Sequence, residues 1–126
     1  MMNNNKRPIH LALHQIKLPL SGWVSILHRV SGLLLFLALP LLLLILQYSL
    51  RSIETYTQLM AILNHPLSKL MLIVLLWAGL HHLLAGIRYL ALDLGIGVSL
   101  KNSRTSSKWV LGLSLLLTVL IGVSSC

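Results

Sequence analysis

The chain has 126 residues, 56% of them hydrophobic and only 10% charged, which leaves too little polar surface to cover a soluble globule of this size. The formal net charge of +8 does not indicate nucleic acid, because the basic residues form no single patch and are not interleaved with aromatics as a binding stripe requires. Uncharged runs at 30–50, 70–87 and 109–126 are each long enough to cross a hydrocarbon core of about 30 Å as a helix, so an all-α membrane protein with three transmembrane helices is expected.

In chain order, 1–20 reads as a cytoplasmic or interfacial segment. It is Asn-rich at its start, and His10, His14 and Lys17 suit the headgroup region. No small-residue cleavage site follows a short apolar core, so no cleavable signal is expected. Pro19 and Ser21 are candidate helix-start residues, proline for the first turn and serine as acceptor for an orphan N–H. The first transmembrane helix is expected over 21–49, kinked at Pro40, whose missing N–H removes a backbone bond. A non-cytoplasmic loop over 50–66 follows, with Tyr48, Tyr56 and His65 as interfacial side chains.

The second transmembrane helix is assigned to 67–94 and is ended by Gly95 and Gly97. A cytoplasmic loop spans 95–105, and the third transmembrane helix spans 106–126, where Gly112, Ser114 and Gly122 permit close packing. The basic residues set the orientation. Lys6, Arg7, Lys17 and Arg29 precede the first uncharged run, Lys101, Arg104 and Lys108 lie between the second and third, and Arg88 sits at the adjoining end of the second, against Arg51 and Lys69 in the other connection. The positive-inside rule then puts the N-terminus in the cytoplasm. Cys126 is the only cysteine, so an internal disulfide is impossible and no CxxC metal site exists.

Ionisable groups inside a span are costly, and they mark candidate sites. Ser25, His28, Arg29 and Gly32, in the run SILHRVSG, are spaced to share one helical face. That face offers a hydroxyl, an imidazole and a permanent cation, able to bind a carbonyl and an acidic group; a positive-inside anchor with snorkelling side chains is the plain alternative. The second cluster is His81-His82 followed by LLAGIRY and Asp93. His82 lies about 16 Å along the helix axis from Asp93, near the bilayer middle. An imidazole there could ligate a haem iron, bond a neighbouring helix or line a polar path. Ala85 and Gly86 leave room on the His82 face.

SILHRVSG at the entry to the first span and HxxxGIR, ending LDLG, at the exit of the second resemble the cytochrome b membrane-anchor subunits of succinate dehydrogenase. Arg7-Pro8 and HLALHQIKLPL are similar to that family's lead-in, so the resemblance runs from about Arg7 to Gly95 and continues as hydropathy beyond. It implies that the three helices are part of a hetero-oligomeric bundle in a bacterial inner membrane. The partners it implies are a flavoprotein subunit, an iron–sulfur subunit, a second small membrane-anchor subunit and membrane lipid, without nucleic acid.

By the same resemblance, His82 is an axial ligand of haem b, shared with the small anchor subunit, which supplies the second ligand. His28 and Arg88 are haem propionate contacts, and Ser25 and Arg29 bind ubiquinone, the substrate reduced by electrons from the iron–sulfur subunit. Succinate oxidation belongs to the other subunits. The family commonly has histidine after GIR where this chain has Tyr89, which removes a proton-relay imidazole from that position. A fumarate reductase anchor using menaquinone has the same expected fold. A small transporter is disfavoured, because Glu54 is in a loop and Asp93 at a helix end, leaving no buried acid to couple protons. A haem-free structural anchor is the third alternative.

Overall fold

A computed structural model describes residues 17–125. The expected lead-in over 1–16, with Arg7, His10 and His14, and Cys126 at the other end lie outside the described residues. The described chain is helical, without strands: α1 Leu20–Ser49, α2 Ile53–Leu63, α3 Pro66–Asp93 and α4 Leu100–Ser125. α1, α3 and α4 are long and apolar enough to cross a membrane.

α1 starts at a backbone device. The Pro19 carbonyl accepts from the N–H groups of Gly22 at 2.9 Å and Trp23 at 3.3 Å, and no side chain caps the end. Ser21 is therefore inside the first turn and is not the cap expected for it. The helix continues through Pro40, where the proline ring removes one N–H donor.

The connection after α1 is not a plain loop. Ser52 and Thr55 form a reciprocal capping box, each side chain accepting from the other's backbone N–H at 3.1 and 3.0 Å, and α2 grows from it. Threonine stands where the sequence signature has glutamate or glutamine, so the start signal is weak in the sequence. Tyr48 donates its hydroxyl to Gln58 Oε1 at 3.1 Å, tying α2 to the end of α1.

α3 begins with Pro66 in its first turn, and His65 Nδ1 accepts the Leu67 N–H at 3.2 Å. It ends at Gly95, which takes φ +77°. The Ile96 N–H bonds the Ala91 carbonyl and the Gly95 N–H bonds the Leu92 carbonyl, both at 2.9 Å, which is the Schellman arrangement. α4 starts at Leu100, earlier than the expected 106, because Ser99 caps it: its Oγ accepts from Asn102 N–H and its carbonyl from Ser103 N–H.

α3 is the central helix, packed on α1 along one side and on α4 along another. The shared core is small, with Val24, Ala85 and Val110 at its centre and Leu84, Tyr89 and Leu111 packed around them. On α1 only Val24 and Ser31 are buried, so most of that helix's leucine-rich surface is left for lipid or other chains. Replacing Ser52 with Ala removes one arm of the capping box, about 1 kcal/mol. Amide hydrogen exchange of Ile53–Thr57 should then accelerate while exchange in α3 stays unchanged.

Candidate functional site

The site residues of α1 and α3 meet where the two helices cross. His28 and His82 stack, ring centroids 4.2 Å apart and planes within 13°. Each imidazole lies over the glycine four residues beyond the other. A Cβ on Gly32 would sit 2.8 Å from His82 Cε1, and one on Gly86 would sit 3.6 Å from His28 Nε2. Helices carrying HxxxG in opposite directions thus interlock, and Gly32 is the tighter of the two close approaches.

His82 Nδ1 is 3.0 Å from the backbone carbonyl oxygen of His28 and 3.3 Å from Ser31 Oγ. A carbonyl oxygen can only accept, so Nδ1 carries the proton and donates it. Ser31 donates its own hydroxyl to the same carbonyl at 2.9 Å. The tautomer is thereby fixed, with the lone pair on Nε2. A metal-bound histidine is usually held in this way, its second nitrogen donating to a carbonyl that orients the ring. His82 is half-buried, and its face of the bundle is partly open.

His81 has the opposite environment. It is fully buried and stacked on Trp77, with centroids 5.2 Å apart, and neither ring nitrogen has a hydrogen-bond partner. The chain's own helices enclose it. Adjacent histidines on a helix point about 100° apart, and here that angle separates an open face from a closed one.

α1 starts at Leu20, which puts His28 about 12 Å into the helix, where its ring stacks on that of His82. The stacked geometry also means that the two imidazoles do not face each other across a gap, so they cannot be opposite ligands of one metal atom.

Arg88, assigned with His28 to the propionates by the resemblance, turns to α4. Its Nε donates to Ser106 Oγ at 2.9 Å, and its Nη2 donates to the Ser103 carbonyl at 3.2 Å and Ser103 Oγ at 3.0 Å. Six residues after His82, Arg88 lies about 120° around the helix from it. Tyr89, seven residues after His82, shares its face, and the Tyr89 ring is 5.3 Å from His28. The Tyr89 hydroxyl is buried without a partner.

Ser25 is half-buried and Arg29 exposed on the same flank of α1 as His28. The face therefore carries a hydroxyl, an imidazole lone pair and a cation. No three His, Cys, Asp or Glu side chains among the described residues converge on a metal position. Any metal held at His82 needs its remaining ligands from a prosthetic group or another chain.

The family model described as "Succinate dehydrogenase/Fumarate reductase transmembrane subunit" matches residues 3–121. Among curated proteins, the chain is 40% identical over 121 residues to the succinate dehydrogenase cytochrome b556 subunit of Coxiella burnetii, covering 95% of this chain and 97% of that one. It is 36% identical to the subunit of that name from Rickettsia felis, over 94% of this chain and 93% of the relative. It is 29% identical to that from Paracoccus denitrificans, over 94% and 92%.

The reciprocal glycines give a paired prediction. Ala at either position gains the same helix propensity, but only Gly32→Ala drives a methyl into the His82 ring. Gly32→Ala should be less stable than Gly86→Ala by about 1–3 kcal/mol, read as a lower thermal midpoint of the purified protein in detergent.

Proposed function

Because the chain belongs to the family of succinate dehydrogenase and fumarate reductase transmembrane subunits, we propose that it is the large membrane anchor of a succinate:quinone oxidoreductase, holding one side of a haem b through His82 and a quinone head group through Ser25 and Arg29. The relatives reported above carry the succinate dehydrogenase name, which favours quinone reduction over the fumarate-reducing direction.

The haem assignment is carried by the bond from His82 Nδ1 to the His28 carbonyl. It leaves Nε2 as the free donor atom, on a half-buried ring, which fits an axial ligand. When bound, haem b supplies a one-electron redox centre within the membrane. His82 would hold the iron of such a group, its ring kept in place by the carbonyl bond. His28, stacked on that ring, would contact a propionate. A propionate contact by Arg88 rests on the resemblance alone, since its hydrogen bonds run to α4. A second imidazole would come from the small anchor subunit.

At the quinone, the Ser25 hydroxyl donates a hydrogen bond to a carbonyl oxygen of the head group. The Arg29 guanidinium, on the next turn, stabilises the negative charge that builds on that oxygen as electrons arrive. Two electrons from the iron–sulfur subunit and two protons convert the quinone to the quinol. With the N-terminus cytoplasmic, those protons come from the cytoplasmic side of the inner membrane. The flavoprotein subunit oxidises succinate.

A reduced-minus-oxidised spectrum of the purified assembly, taken with a subunit gel, should show a b-type absorbance and three companion subunits. A complete assembly without haem absorbance would contradict the haem assignment. Arg29→Ala should lower quinone reduction about a hundredfold while succinate oxidation by an artificial dye persists. Unchanged quinone turnover would remove Arg29 from the site.

A further inference from the structure

Arg88 is a permanent cation with 6% of its surface exposed, and its three hydrogen bonds go to neutral serine oxygens, none to a carboxylate. A guanidinium buried on these terms is solvated but not neutralised, and it remains short of counter-charge. Asp93, five residues on, points about 140° away around the helix. Its guanidinium also lies over the Tyr89 ring, 5.3 Å from the centroid, and Arg88 lines a cleft of about 460 Å³ between the end of α3 and the start of α4, bounded also by Leu92, Ile96, Thr105, Ser106 and Trp109.

We propose that this cleft binds the phosphate of an anionic phospholipid, with Arg88 as its buried cation. Charge complementarity comes from both helices. Lys101 and Lys108 flank Thr105 on one face of α4, at i, i+4 and i+7, and both are exposed. Depth points to a headgroup. Arg88 sits more than a turn inside α3, yet its side chain reaches back to Ser103 and Ser106 in the polar start of α4. The charge is thus lifted toward the headgroup level while its stem stays among apolar groups.

The walls suit the rest of a lipid. Leu92 and Ile96 give an apolar side for the glycerol and upper acyl region. Trp109, 69% exposed at the rim, is the type of side chain that settles at the membrane interface. Basic pockets between membrane helices of this kind select anionic headgroups over zwitterionic ones. The cleft is on the α4 side of α3 and is lined by neither His28 nor His82, so the proposal does not rest on the haem assignment.

The test uses the whole complex, delipidated in detergent and incubated separately with short-chain phosphatidylglycerol, short-chain phosphatidylcholine and inorganic phosphate. Retained molecules are counted by native mass spectrometry. Thr105→Trp fills the cleft at a position that makes none of the Arg88 hydrogen bonds, and Arg88→Gln removes the charge. Phosphatidylglycerol should be retained, phosphatidylcholine and inorganic phosphate should not, and each variant should lose one bound phosphatidylglycerol. Equal retention of the two lipids would overturn the proposal, as would an unchanged count in Thr105→Trp. Cross-linking from a photoreactive residue at 105 to an accompanying subunit, and not to lipid, would also overturn it by showing the cleft to be a protein interface.

Discussion

The hydrogen bond from His82 Nδ1 to the backbone carbonyl of His28 is the constraint on which the candidate site depends. It joins α3 to α1 through a helix carbonyl oxygen that Ser31 Oγ also approaches. It orients the imidazole, fixes its proton and leaves one lone pair for a ligand. The bond is possible only because Gly32 lets the ring approach the α1 backbone. A side chain there would push the imidazole outward by a distance comparable to the hydrogen bond's whole tolerance. Packing and chemistry are therefore the same event at this crossing.

Elsewhere the polar groups are handled locally, as a membrane interior demands. On α4, Ser107, Ser114 and Thr118 are buried, and each returns its hydroxyl to a carbonyl one turn back in the same helix, at 2.7 to 3.0 Å. These residues give a narrow, self-satisfied face that packs on the other helices without needing partners from them. Among the described residues, the buried side-chain atoms left unsatisfied are few and all on α3: both nitrogens of His81, the Trp77 indole nitrogen and the Tyr89 hydroxyl. The shared core is small. The long uncovered surface of α1 is left for lipid or other chains.

The three spans were legible because a membrane helix must hide every backbone group within itself and is apolar all round, so hydropathy alone finds it. The stop at Gly95 was legible for a different reason, since a left-handed residue in that position favours glycine. α2 was not, because its capping box uses threonine and its apolar positions are scattered among polar ones. The side-chain stripe on α1 followed from helical spacing, whereas the choice of His82 over His81 came from the family resemblance, to which the small neighbours Ala85 and Gly86 added only a little. Spacing within one helix cannot say which neighbour each face meets. That is why the stacking of His28 on His82, the turn of Arg88 toward α4 and the burial of Tyr89 against His28 emerged only with the packed structure.

The central claim is that His82, and not the adjacent His81, presents the ligand lone pair. The most direct measurement compares the reduced-minus-oxidised spectra of assembled complexes carrying His82→Ala and His81→Ala. The bis-imidazole b-type spectrum should be lost in His82→Ala and retained in His81→Ala. Retention in His82→Ala, or loss confined to His81→Ala, would contradict the account.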